Sequence, residues 1–146
     1  AKITAYCAIK LAMNQLPIIP DGCPVLVIGW GRIGKCLSQL LKQLGAKVTV
    51  CARKEADRSI INALGYYAVD YPQVALPDYR VIFNTVPTML FPKSAGAGLK
   101  IDLASRLGLG GEDVIWARGL PGKDAPESSG ALIAQVLLPI LRKESL

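Results

Sequence analysis

A chain of 146 residues with 51% hydrophobic content can bury the core of one domain. With 14 glycines, 10 prolines and only 19% charged residues, it is neither a disordered segment nor a coiled coil. The net charge of +6 invites a nucleic-acid reading, but the cations (Lys35, Lys42, Lys47, Lys93, Lys100) are scattered with no aromatic platform between them, so a solvated surface attractive to small anions is the better account.

Ala1 to Leu16 reads as a helix, with Ile3, Tyr6, Ile9 and Leu11 or Met13 on or near one face. The pattern is already helical at Ala1, so a segment of a longer polypeptide is expected. Pro17, Pro20 and Asp21-Gly22 stop the helix and turn the chain. Pro24 to Ile28 is a first strand, continuously apolar as a parallel strand covered on both faces requires. Arg32 to Leu44 is the next helix; Ile33, Leu37, Leu40, Leu41 and Leu44 recur at helical spacing, and Gly45 ends it. Ala46 to Cys51 is a second strand, Glu55 to Leu64 a helix closed by Gly65, and Tyr66 to Val69 a short third strand. Tyr71 to Asp78 is proline-rich and reads as a loop with room for a helical turn. Arg80 to Asn84, Leu99 to Ala104 and Val114 to Ala117 are three further strands, with a glycine-rich loop from Ser105 to Asp113 before the last. A final helix runs from about Ala125 to Leu141, with Pro126 in its first turn. That helix is apolar around much of its circumference, so it either packs on the sheet or also meets another domain or a further copy of the chain. Strands alternating with helices predict an α/β fold, a three-layer doubly wound parallel sheet of order 3-2-1-4-5-6.

Cys7, Cys23, Cys36 and Cys51 lie more than ten residues apart, with no C-x-x-C pair, and the chain has no His. A metal site is therefore not expected, and buried reduced thiols of a cytoplasmic protein are. No apolar run reaches membrane-spanning length.

The first strand runs straight into Gly29-Trp30-Gly31-Arg32-Ile33-Gly34, a G-x-G-x-x-G pattern at a strand-to-helix turn. The first glycine permits the tight turn, the second lets a pyrophosphate approach the backbone, and the third lets helix and strand pack closely. With a strand before it, a helix after it and a second strand at the expected distance, the motif reads as a Rossmann-type dinucleotide site. Gly29, Gly31, Arg32, Ile33 and Gly34 are its candidate cofactor residues, the helix start supplying free N–H groups and positive dipole. At the end of the second strand, where an acidic residue would bind the ribose hydroxyls of NAD, the chain instead has Ala52-Arg53-Lys54, with Arg58 nearby. Cations there would attract a 2′-phosphate, so NADP is expected over NAD; the alternative is that they are ordinary surface cations. Asn84-Thr85-Val86-Pro87 follows the fourth strand at the ligand-binding edge, making Thr85, Val86 and Pro87 candidates for the ribose–nicotinamide half. Leu103 is a further candidate at the end of the fifth strand. Its neighbour Asp102 is either a buried acceptor for backbone N–H groups or a catalytic group. Gly119-Leu120-Pro121-Gly122 is either a stiff loop beside the nicotinamide, with Gly119 and Pro121 as candidates, or a simple turn. Without His, this segment cannot by itself run the His-based chemistry of 2-hydroxyacid dehydrogenases.

Taken together, these motifs resemble the nucleotide-binding, C-terminal half of the larger, dehydrogenase-like component of dipicolinate synthase. The resemblance runs through the glycine turn, Val81 to Pro87, Ile101 to Ser105, Gly119 to Pro126 and the closing helix, essentially the whole chain. Gly119-Leu120-Pro121-Gly122-Lys123-Asp124-Ala125-Pro126 is the most particular of these; the glycine and N-T-V-P motifs occur in many dehydrogenases. The resemblance implies an NAD(P)-dependent oxidation of dihydrodipicolinate to dipicolinate in sporulation, alongside a second, flavoprotein-like component of the synthase. It also implies a preceding substrate domain absent from residues 1–146, with Gly119 to Gly122 on the substrate side. Segment 106–111 is shorter and differently composed than that family's connection. The competing expectations are an NAD(P)-sensing or assembly domain without turnover, and a dehydrogenase of another small acid, of shikimate or 2-hydroxyacid type. On the sequence alone, the catalytic residues and the oligomeric state, a homo-oligomer among the options, stay open.

Overall fold

The computed structural model describes residues 1–16, 21–92, 98–111 and 113–117. Its elements are α1 (Lys2–Gln15), β1 (Pro24–Ile28), α2 (Arg32–Gln43), β2 (Lys47–Cys51), α3 (Glu55–Ala63), β3 (Tyr67–Val69), β4 (Val81–Asn84), β5 (Leu99–Asp102) and β6 (Val114–Trp116). Two single-turn 3-10 helices, Tyr71–Gln73 and Leu76–Asp78, lie between β3 and β4. The predicted elements from the first helix to the sixth strand are all present, with ends moved by a residue or two. The final helix lies outside the described residues.

All strand pairings are parallel and the order is β3-β2-β1-β4-β5-β6. From β1 the chain moves outward to β2 and β3, then returns to add β4 on the other side of β1. Ile28 and Asn84, the last residues of β1 and β4, are paired neighbours. The loops leaving these two strands therefore diverge, opening a crevice at the carboxyl edge. The rest of the fold serves this point.

The alternating faces of the buried strands form two cores. Val25, Val27, Val48, Val50, Val81, Phe83 and Ile101 meet side chains of α1 and α2, with Ile61 of α3. On the opposite face, Leu26, Ile28, Cys51 and Ile82 are covered by Leu76, Leu109 and partly buried Tyr71, Val74, Tyr79 and Phe91. Among the described residues the second cover is thus made of 3-10 turns and loops. The Tyr71–Asp78 stretch, expected to be little more than a loop, is part of it. Asp70 starts it by accepting a hydrogen bond from Tyr71 N at 2.8 Å.

The packing face of α1 departs from expectation. Its buried residues include Ala5, Ala8, Ile9 and Ala12, with Tyr6 and Cys7, whereas Ile3 and Met13 are 42% and 37% exposed. Positions 5, 8, 9 and 12 do share one helical face. Their small side chains let α1 lie close against α2 and β5, and helix separation is set by the side chains at the contact. Hydrophobicity alone misplaced the seam by favouring the larger residues. Strands β4 and β5 also stop earlier than expected, because Asn84 and Asp102 use their side chains to turn the backbone that follows.

Candidate functional site

The glycine turn begins where β1 ends. Gly29 has φ 108°, a conformation that L side chains rarely adopt, and its N–H donates to Cys51 O at 2.9 Å. A Cβ at Gly29 would strike Thr85 Oγ1 and lie 2.9 Å from Val86 Cγ2. A Cβ at Gly34 would fall on the Gly29 carbonyl, so the third glycine lets α2 sit on the turn that precedes it. Gly31 is different: a Cβ there meets nothing within 4 Å. Gly31 is the N-cap of α2 and offers no side-chain cap, and the first turn of the helix has no acidic residue. The leading N–H groups therefore face open space with no carboxylate competing for them, which fits a phosphate group.

Two cavities meet at this turn. One, of about 480 Å³, is bounded by residues 29–34 and by Thr85, Val86 and Pro87, with Thr4 of α1 at its margin. The other, of about 360 Å³, is lined by Ala52, Arg53, Lys54, Asp57, Tyr71, Thr88 and Leu90. Gly29, Trp30 and Val86 belong to both. The crevice is thus one groove crossing the glycine turn, with the turn after β4 as its wall. Thr85 holds that wall to β1 by donating its hydroxyl to Ile28 O at 2.7 Å. The oxygen keeps acceptor capacity, while the proton is already committed.

Most of the candidates read from the sequence come together here: Gly29, Gly31, Arg32, Ile33, Gly34, Arg53, Lys54, Thr85, Val86 and Pro87 all line the groove. Arg58 does not. Its guanidinium donates to Ala52 O at 2.8 Å and Arg53 O at 2.6 Å, and pairs with Asp70 at 3.7 Å. It braces the backbone that presents Arg53 and Lys54, having its donors turned to carbonyls. Leu103 also lines neither cavity; it is 7% exposed within the α1–α2 core. Gly119 and Pro121 lie outside the described residues.

Asp102 is fully buried, and four N–H donors surround it. Oδ1 accepts from Asn84 Nδ2 (3.0 Å) and Ala104 N (3.1 Å), and Oδ2 from Gly108 N (2.7 Å) and Leu109 N (3.0 Å). Of its two sequence readings, the geometry is that of the structural acceptor.

Trp30, Asp57, Tyr71, Thr88 and Leu90 are groove residues that the motifs did not yield. Trp30 had a usable signal, since the middle residue of G-x-G must lie at the turn. Tyr66 meets its ring edge-on at 6.0 Å, and Lys35 Nζ lies 5.8 Å from the ring centroid. Asp57, one helical turn beyond Lys54, puts a carboxylate among the cations. Tyr71 has no local signal; the chain leaving β3 delivers it. Burial, and secondarily the neighbouring Cys51, pushes its phenol up from the ordinary range, with Arg53 opposing. Burial also pushes the Cys51 thiol up to about 12, Asp70 adding to the effect and Arg58 opposing it. Both groups are neutral near pH 7, so Arg53 and Lys54 dominate this end of the groove.

A parallel doubly wound sheet with a glycine-rich turn at its switch point and an uncapped helix behind it defines a Rossmann-type dinucleotide-binding domain. No family model matches the chain. In sequence it resembles the A subunit of dipicolinate synthase from Bacillus subtilis (strain 168), with 30% identity over 148 residues, covering 91% of this chain and 50% of the relative. Among solved structures, the same component of dipicolinate synthase from Bacillus halodurans matches with a TM-score of 0.78 and 30% identity, covering 95% of this chain and 53% of that one. The dipicolinate synthase structure from Bacillus subtilis gives 0.74 and 28%, covering 97% and 52%. The chain therefore spans about half the length of these relatives. At 17% identity and a TM-score of 0.64, the yhdH oxidoreductase from Salmonella enterica in complex with NADP shares the fold, covering 91% of this chain and 48% of its own.

Proposed function

We propose that this chain is the NADP(H)-binding part of a dehydrogenase of the dipicolinate synthase kind. In the whole protein it serves the oxidation of dihydrodipicolinate to dipicolinate. The observation that carries the reading is the groove itself, with open helix N–H groups at its middle and Arg53-Lys54 at one end. The likeness to the dipicolinate synthase relative over 91% of the chain supports the choice of reaction.

The first-turn N–H groups of α2 hold the pyrophosphate. Arg53 and Lys54 take the 2′-phosphate through charge-assisted hydrogen bonds, which an NAD-type carboxylate in their place would forbid. Thr85, Val86 and Pro87 border the ribose–nicotinamide half. NADP⁺, when bound, supplies the hydride acceptor, and aromatisation of the dihydropyridine ring favours the transfer. This chain's residues are then asked for positioning more than for a strong base. The substrate-binding domain, the flavoprotein-like partner, the role in sporulation, the cytoplasmic location and any homo-oligomer form part of the same proposal. Among the described residues no helix is long and apolar enough to cross a membrane.

The test is calorimetric titration with NADPH and, in parallel, NADH. NADPH is expected to bind more tightly, and Arg53→Ala to weaken NADPH about tenfold while sparing NADH, the loss of one charged hydrogen bond. Equal or tighter NADH binding refutes the NADP preference. Binding of neither refutes the cofactor assignment. Reduction of NADP⁺ by the whole protein with dihydrodipicolinate tests the reaction; binding without turnover would favour a sensing domain instead.

A further inference from the structure

Asp102 lines neither cavity, yet its hydrogen bonds end at the wall that both cavities share. It holds Asn84 through Nδ2. Asn84, itself 1% exposed, grips Val86 at both ends, accepting from Val86 N at 3.1 Å and donating to Val86 O at 2.9 Å. The other carboxylate oxygen holds Gly108 and Leu109. Gly108 lies so close to the wall that a Cβ there would strike Asn84 Nδ2 and lie 2.7 Å from Val86 O and 2.8 Å from Thr88 O. Its carbonyl accepts from Leu90 N and Phe91 N, both at 3.1 Å. Val86, Thr88 and Leu90 are groove residues.

We propose that Asp102 is a positioning residue for the cofactor groove, its carboxylate fixing the Asn84–Val86 wall to the 104–109 loop as one unit. The inference rests on the cofactor reading above. All four partners of Asp102 are donors, so both oxygens must accept. An asparagine, whatever its flip, turns an NH₂ group toward two N–H groups. A buried ion persists here because its acceptor sites are filled, and losing that match releases the wall. The need for a carboxylate at this position is therefore a need for a rigid groove.

The test compares Asp102→Asn with Leu41→Val, a core change near the far end of α2, in melting temperature and in NADPH affinity. Asp102→Asn is expected to raise the NADPH Kd about tenfold, while the core variant lowers the melting temperature and leaves Kd within about twofold of wild type. An Asp102→Asn protein that binds NADPH like wild type, or no worse than the core variant, overturns the positioning role. A second measurement needs no variant: on adding NADPH to wild type, amide exchange should slow at Val86, Ala104, Gly108 and Leu109 together. Slowing at Val86 with Gly108 and Leu109 unmoved overturns the coupling. A wild type that binds no NADPH refutes the cofactor reading itself, whereas normal binding by both wild type and Asp102→Asn refutes only the positioning role.

Discussion

The glycines of the turn have separable duties, and replacing Gly34 and Gly31 by alanine should pull them apart. At position 34 the added Cβ meets the Gly29 carbonyl, whose carbon would lie 3.0 Å away and whose oxygen closer still. That obstacle is backbone and cannot rotate aside. Overpacking of this kind costs about 2–3 kcal/mol, and the helix preference of alanine over glycine returns about 1. The net loss of about 1–2 kcal/mol corresponds to a melting temperature lower by about 3–6 °C for a chain of this size. At position 31 the Cβ meets nothing within 4 Å, and the conformation is extended (φ −88°, ψ −164°). Only the N-cap preference is lost, under about 1 kcal/mol, but a methyl group now stands beside the open N–H groups of α2. Thermal melts followed by far-UV circular dichroism, then NADPH titration of each variant, separate the effects. Gly34→Ala should lose stability, whereas Gly31→Ala should lose NADPH affinity while melting near wild type. A Gly34→Ala protein as stable as wild type, or a Gly31→Ala protein less stable than Gly34→Ala, would refute the division of labour.

The buried thiol and phenols predict an alkaline weakness. Cys51 is raised from 9.0 to about 12, and Cys23, Tyr66 and Tyr71 are raised too, so from about pH 9 the unfolded chain loses protons that the fold retains. Stability from these groups is complete below their unfolded values and falls as pH rises toward their folded ones; urea melts at pH 7, 9 and 10.5 that show equal or rising stability would contradict this. Trp30, one of two tryptophans, should pass excitation to a bound reduced nicotinamide. NADPH should quench emission in Trp116→Phe but not in Trp30→Phe, and quenching that survives in Trp30→Phe would place the nucleotide elsewhere.

Much of this molecule was legible because its determinants are local. A continuously apolar Pro24–Ile28 and the helical spacing of Leu37, Leu40 and Leu41 each identify an element from a few neighbouring residues, and Gly45 and Gly65, both at φ 91°, mark where helices end. The glycine turn was legible for the same reason: close approach and positive φ each demand a residue type at a fixed offset. Arg53-Lys54 was readable once the end of β2 was placed, since a strand end fixes which side chains reach the crevice.

Long-range packing decided the rest. The α1 seam of alanines depends on how closely α2 and β5 approach, which no periodicity in residues 1–16 specifies. Arg58 looked like a phosphate ligand by charge and proximity, but Asp70 and two carbonyls claim its donors only after β3 has returned beside β2. Tyr71 enters the groove on the same return. Asp102 could be recognised as a buried acid, but its four donors come from β4 and from a loop that closes back on β5. The sequence by itself determined the elements, their order and the turn at the switch point, because those follow from propensity and spacing. Tertiary structure alone decided which polar side chains face the groove and which brace its walls, because a donor or acceptor is committed by whichever partner the fold brings within 3 Å.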